Sequence, residues 1–255
     1  MKLLENKCGM IVGATSGIGR AAALLFAKEG ASLVVIGRRT ELLTSLCTEI
    51  KQAGGSAKLI TADISKTREI ESMVKEAKSI LGKIDFAFNN AGTIGNFSPM
   101  LEQSEQDWDN TINTNLKSVW LSIREQSKAM AKSGGAIVNT SSWLAKGGLV
   151  GSTSYSASKA GMDGLLRPAA IELASMNIRI NNINPGGVDT EMTREAFQHD
   201  QQILNTFGES HPIGRMGTVT EIADLAAFLV SDRSTNITGQ AIVIDGGYTI
   251  SGQRG

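Results

Sequence analysis

Seven short apolar or β-branched runs punctuate the chain: GMIVG at 9–13, SLVVIG at 32–37, AKLITA at 57–62, IDFAFNN at 84–90, GAIVNTS at 135–141, IRINNIN at 178–184 and QAIVID at 240–245. Between them, apolar positions recur at helical spacing. In GIGRAAALLFAKEG, Ala22, Leu25 and Phe26 share a face and Gly30 supplies a stop. Strands with near-continuous apolar character, separated by helices, are the pattern of a parallel sheet covered on both sides. The expected architecture is therefore α/β: a single-domain, doubly wound, Rossmann-type parallel sheet of about seven strands with helices on both faces, spanning 1–255.

One stretch resists this alternation. Residues 185–218 are irregular, bracketed by glycines, with one weak helical pattern near 191–207. A loop longer than about 15 residues in a compact domain is usually functional or mobile, so 188–215 is expected to form a substrate lid.

Composition narrows the function classes. The chain has 25 basic and 25 acidic residues, without a block of like charge, which gives no support to a nucleic-acid partner. No run reaches the roughly 18 apolar residues of a membrane span. The expectation is a compact protein of the cytoplasm with neither membrane nor nucleic-acid partners. Cys8 and Cys47 are far apart and lack ligand spacing, so reduced thiols in or near the core are expected. His199 and His211, the only histidines, offer little material for a metal or triad site and are expected in polar loops. No metal is expected.

GATSGIG, Gly13 to Gly19, falls between the first strand and the first helix. There, small residues let the chain turn and let a pyrophosphate approach the amides at a helix N-terminus; Gly13, Thr15, Ser16, Gly17, Ile18 and Gly19 are the candidates. After the second strand, VVIGRRTELL carries Gly37 followed by Arg38 and Arg39. An acid here suits a free ribose 2′-hydroxyl, whereas a guanidinium grips a 2′-phosphate. NADP(H) is favoured, with NAD(H) left open.

The glycine spacing resembles that of the short-chain dehydrogenase/reductase family, usually T-G-x-x-x-G-x-G, with Val12 in place of the Thr. The likeness runs along the chain. TADIS places Asp63 and Ile64 where the family contacts adenine. NNAG supplies Asn90, Ala91 and Gly92 beside the cofactor, and NPGGVDT supplies Pro185, Gly186, Val188 and Thr190 around the nicotinamide. Ser16 stands where many NADP-preferring relatives carry a second basic residue.

The same resemblance implies a catalytic set of Asn115, Ser142, Tyr155 and Lys159. Tyr155 and Lys159, four apart, share a helix face, and Ser142 precedes Tyr155 by thirteen residues at the end of a strand. Ser141 is the alternative serine. A phenol ordinarily titrates near 10, and bringing it to neutrality takes about 4 kcal/mol of phenolate stabilisation, expected from the Lys159 ammonium. Asn115, by resemblance, helps hold a water beside Lys159. Lys159 also holds the nicotinamide ribose, and Tyr155 lies against the cofactor.

The expected activity is that of an NAD(P)(H)-dependent oxidoreductase that prefers NADP(H), with hydride transfer between nicotinamide and a ketone or secondary alcohol. Tyr155 is the general acid/base. Ser142, Trp143, Leu149, Met192 and Phe197 are candidate substrate contacts, with Leu144 beside them. The general similarity is to bacterial 3-oxoacyl carrier-protein reductases and sugar or cyclic-alcohol dehydrogenases, and the acyl-carrier substrate is one alternative. A non-catalytic NADP-sensing protein is another; a Rossmann-like methyltransferase would lack the Ser-Tyr-Lys set. ITGQAIVIDGGYTI resembles the family segment packed in a tetramer interface, which implies a homotetramer of dihedral symmetry.

Overall fold

A computed structural model describes residues 2–251. Among them, seven strands form one parallel sheet: β1 Cys8–Val12, β2 Ser32–Gly37, β3 Ser56–Thr61, β4 Phe86–Asn89, β5 Gly135–Thr140, β6 Ile178–Pro185 and β7 Ala241–Ile244. Their order is β3-β2-β1-β4-β5-β6-β7. The helices are α1 Gly17–Lys28, α2 Thr40–Gln52, α3 Thr67–Leu81, α4 Glu105–Ile112, α5 Ser118–Met130, α6 Thr153–Ala174, α7 Glu191–Ala196, α8 Gln201–Glu209 and α9 Val219–Val230.

Strand alternation sends successive side chains to opposite layers. Ile11 of β1 joins Phe26 of α1, Leu46 of α2 and Ala226 of α9 in one core, while Met10 and Val12 join Met73 of α3, Leu121 of α5 and Leu166 of α6 in the other. Burial on both faces explains why the central strands read as unbroken apolar runs. All strands run parallel, but the order in which they are added reverses between β1 and β4, and the carboxyl ends of these two strands open the crevice where such sheets bind ligands.

The 191–207 pattern is two helices rather than one. Gln198 and His199 take left-handed φ values of 53° and 58°, which break the chain between α7 and α8. Asp200 then caps α8, accepting from the amides of Gln202 at 2.8 Å and Ile203 at 3.0 Å. His211 also differs from expectation, since it is only 2% exposed. Its ring stacks on Tyr248 at 4.6 Å, Nδ1 donates to the Phe207 carbonyl and Nε2 accepts from the Gly187 amide. His199 is exposed, and Cys8 and Cys47 are half-buried. Burial raises both thiols above their ordinary range.

Candidate active site

The carboxyl edges of β1, β2, β4, β5 and β6 surround a cavity of about 610 Å³. The glycine loop forms one end. Gly13 has φ +86°, and a side chain there would meet the Ala91 backbone at 2.6 Å, while Cβ on Gly19 would run into the Gly13 carbonyl. Only glycines let the loop close this tightly against α1 and the chain after β4. Ser16, at the start of α1, makes no side-chain capping bond, and the first turn holds no acid. The free amides and the positive helix end therefore face the cavity without a protein anion to satisfy them.

At the adjoining rim, Arg39 Nη2 donates to Thr15 Oγ1 at 2.8 Å and Ser16 Oγ at 3.1 Å. The guanidinium thus reaches the loop position that lacks a basic residue of its own. Gly37 is walled by Thr15, whose methyl would lie 2.8 Å from an added Cβ. Arg38 lines the same rim. Asp63 faces it: burial acts to raise the Asp63 carboxyl, but the Ser65 hydrogen bonds, aided by the Arg38 and Lys66 charges, hold it below the usual carboxylate range. The Asp63 amide donates to Glu69 Oε2 at 2.7 Å, which fixes the chain at the start of this loop.

At the other end, Ser142, Tyr155 and Lys159 converge. Ser142 follows β5, and its side chain lies near enough to the Tyr155 hydroxyl to act on it. Ser141 turns away and donates to the Lys159 carbonyl at 3.2 Å, which separates the two serines. Lys159 is buried; its Nζ donates to the Thr140 carbonyl at 2.7 Å and lies 5.6 Å from the Tyr155 ring centroid. A depressed phenol is not what this packing produces. Burial pushes Tyr155 up to about 12, against the lowering effect of Ser142, and burial brings Lys159 down to about 8, against the nearby Asp163. The ammonium is directed at Thr140 rather than at the phenol oxygen, so desolvation wins.

Asn115 sits in a π-helical turn, Asn113–Lys117, between α4 and α5. The extra residue of a π turn rotates a side chain inward. Fully buried, the Asn115 amide clamps Thr93, accepting from its N–H and donating to its carbonyl, both at 2.8 Å, and donates to Ser158 Oγ at 3.2 Å. A Gly92 side chain would lie 3.1 Å from Asn115 Oδ1 and 3.8 Å from Lys159 Nζ, so the amide and the ammonium both lie close to this glycine.

Of the predicted cofactor residues, Gly13, Thr15, Ser16, Gly17, Ile18, Arg38, Arg39, Asp63, Ile64, Asn90, Ala91, Gly92, Tyr155, Lys159, Pro185, Gly186, Val188 and Thr190 line the cavity. Gly19 and Asn115 stand behind its wall. Met192 lines it, but Trp143, Leu149 and Phe197 do not. Trp143 is buried edge-on against Tyr248 at 4.9 Å, Leu149 packs beside it, and Phe197 packs on Phe207 at 5.0 Å. Apolar burial drew Trp143 and Leu149 into one cluster, which Phe197 touches through Phe207. Thr93 and Glu191 are wall residues that the sequence did not single out, although each adjoins a recognised motif.

Among the described residues, no cluster of three or more His, Cys, Asp or Glu could hold a metal ion, and no helix is long and apolar enough to cross a membrane.

A family model described as enoyl-(acyl carrier protein) reductase matches residues 13–249. The 3-oxoacyl-(acyl-carrier-protein) reductase of Thermotoga maritima is 39% identical over 248 residues, covering 97% of this chain and 99% of the relative. Cyclohexanol dehydrogenase of an Acinetobacter species is 38% identical over 246 residues, 96% of each. The solved structure of a 7α-hydroxysteroid dehydrogenase complexed with NADH and 7-oxo-glycochenodeoxycholic acid superposes with a TM-score of 0.90 at 33% identity, covering 96% of this chain and 94% of that one.

Proposed function

This chain belongs to the short-chain dehydrogenase/reductase family, and from that premise we propose that it is an NADP(H)-preferring oxidoreductase using Ser142, Tyr155 and Lys159 on a ketone or secondary alcohol. The family places it among enzymes that act on alcohols and ketones with a nicotinamide cofactor. The observation that carries the catalytic assignment is the meeting of Ser142, Tyr155 and Lys159 in the same cavity as the uncapped start of α1.

The residues suit such a dinucleotide: the glycine cradle and free α1 amides for its pyrophosphate, and Arg39 with Arg38 for a 2′-phosphate. When bound, the nicotinamide supplies a hydride to a carbonyl carbon, or takes one in reverse. Ser142 orients the carbonyl oxygen by hydrogen bonding. Tyr155 donates its hydroxyl proton to that oxygen as the negative charge develops, which completes the alcohol. A phenol raised to about 12 is protonated at neutral pH and so is armed for reduction. Lys159, protonated below about 8, stabilises the phenolate left behind. Asn115, whose amide is held by Thr93 and Ser158, helps keep a water beside Lys159 through which its proton is restored. Reduction should therefore weaken as pH rises through about 8, where Lys159 loses its proton. The 188–215 segment, with Met192 on the wall, acts as the lid.

The test is NADPH and NADH oxidation with aliphatic, cyclic, aromatic and acyl-thioester ketones. Tyr155→Phe is expected to cut kcat about a thousandfold with NADPH affinity retained. Arg39→Ala is expected to raise KM for NADPH about 10- to 100-fold with little change for NADH. Full activity in Tyr155→Phe would remove the catalytic assignment, and a strong wild-type preference for NADH would remove the cofactor assignment. Turnover confined to acyl thioesters would favour the activity named for the Thermotoga relative. NADPH binding without turnover of any ketone or alcohol would favour a sensor.

A further inference from the structure

A row of buried amides crosses the sheet beneath the site. Asn89, Asn139 and Asn182 are register partners on β4, β5 and β6. Gln126 of α5 pairs with Asn89, Asn89 donates to Asn139, and Asn139 donates to Asn182, each bond 2.7–2.9 Å. The row ends on α6 at Asp163. Its Oδ1 accepts from Asn182 Nδ2 at 2.9 Å and its Oδ2 accepts from Asn184 Nδ2 at 2.7 Å. Asn182 and Asn184, two apart on β6, face the same side.

Asn184 leads directly to the reacting end of the cavity. The second hydrogen of its Nδ2 goes to the Ser142 main-chain carbonyl at 3.1 Å. That carbonyl also receives the Ala145 amide at 3.0 Å, and Ser142 Oγ receives the Leu144 amide at 3.2 Å. The turn that aims the Ser142 hydroxyl is thus tied at its start by Asn184.

What fixes Asn184 is its carboxylate partner. Asn184 Oδ1 is buried with no hydrogen-bond partner among the described residues. The amide's orientation is therefore dictated only by the acceptors facing its nitrogen. With Asp163 present, a flipped amide would set oxygen against both a carboxylate and a carbonyl; with Asp163 absent, one neutral acceptor remains.

We propose that Asp163 is a positioning residue that acts through the Asn184 amide to hold the main chain at Ser142, and so the aim of the Ser142 hydroxyl. The inference rests on the role given to Ser142 above. The same carboxylate lies one helical turn from Lys159. The groups facing Lys159 are the Thr140 carbonyl of β5, Met162 and Tyr155 of α6, and Asn115 close to Gly92; Asp163 is the charged group that bears on it. The carboxylate thus favours the protonated ammonium while it sets the serine.

The experiment compares Asp163→Leu, Asp163→Asn and Asn184→Ala with wild type, and carries Tyr155→Phe as a control. It reads kcat against pH, NADPH Kd by fluorescence and hydrogen exchange at the Leu144 amide. Asp163→Leu is expected to lower kcat about tenfold, leave NADPH Kd within about twofold, speed Leu144 exchange and move the alkaline limb to lower pH. Asn184→Ala should reproduce the loss of kcat and of Leu144 protection with the limb in place, because the carboxylate remains. Asp163→Asn, which keeps one acceptor, should lose less kcat but shift the limb.

Wild-type kcat and Leu144 exchange in both Asp163→Leu and Asn184→Ala would overturn the proposal. So would a fall in kcat matched by lost NADPH binding with the limb unmoved, the mark of a general folding defect. If Asp163→Leu does not fold, Asn184→Ala decides: unchanged Leu144 exchange there overturns the proposal. Full activity in Tyr155→Phe would instead remove the catalytic assignment on which the proposal rests.

Discussion

Lys159 carries a cost that its neighbours only partly offset. Burial holds its ammonium down at about 8, whereas an unfolded lysine titrates near 10.4. Below pH 8 both states hold the proton and the folded protein bears the penalty of a buried charge. As pH rises towards 10.4 the folded protein gives up the proton first, so the unfolded state binds more protons and this contribution to stability increases with pH. Lys159→Met removes the titration. Relative to wild type, its unfolding free energy in urea should fall by about 2 kcal/mol between pH 8 and 9.5; an unchanged difference would mean that Lys159 is not held at about 8 in the folded chain. Ser142, Tyr155 and Lys159 were singled out by resemblance to the family's pattern, since a Tyr and a Lys four apart say little by themselves, and the fold brings all three to one cavity. The phenol's upward displacement was not legible in the sequence, since it depends on packing and on the Lys159 Nζ bond to Thr140, which no spacing reveals.

The seven strands fall within two residues of their apolar runs; the central ones are buried on both faces, so composition marks them, while the edge strands β3 and β7 are only partly buried. Elements defined by a single extra residue or a single capping group are harder to see. The π turn at Asn113–Lys117 is one extra residue within a continuous helical stretch, and the break at Gln198 and His199 is a backbone feature inside a polar stretch. His211 was misplaced because its burial comes from Phe207 and Tyr248, the latter far along the chain. The entry to α9 is more explicit. Thr218 and Glu221 form a capping box, and Arg215 adds an ion pair to Glu221 at 2.7 Å. Together the Arg215 side chain and the Thr218 amide and hydroxyl hold the Glu221 carboxyl down at about 2. A lowered carboxyl stabilises the fold above its unfolded value near 4.3 and loses that contribution as pH falls towards 2. Glu221→Gln should therefore flatten the acid limb of thermal stability between those values. An acid limb identical to that of wild type would show that the box contributes nothing there. Thr218→Ala, which removes the cap, should cost about 1 kcal/mol.

At the scale of the whole molecule, the exposed large apolar side chains of the protomer include two groups that do not line the cavity. One is helical, with Trp120 on α5 at 48% and Ile171 on α6 at 78% exposure; the other is C-terminal, with Val243 on β7 at 38% and Ile250 beyond it at 88%. A patch that pairs with its own copy is related by a two-fold axis, and two distinct self-pairing patches generate dihedral symmetry. We therefore predict a homotetramer, and each patch can be tested without touching the cavity. Light scattering should give four times the 27.0 kDa chain mass for wild type. Ile171→Asp should yield dimers held through the C-terminal patch, with NADPH affinity little changed because neither patch lines the glycine-loop end of the cavity. Ile250→Asp should yield dimers of the other kind, and the two substitutions together monomers. A tetramer that survives both would place the subunit contacts elsewhere and leave these apolar surfaces to face solvent.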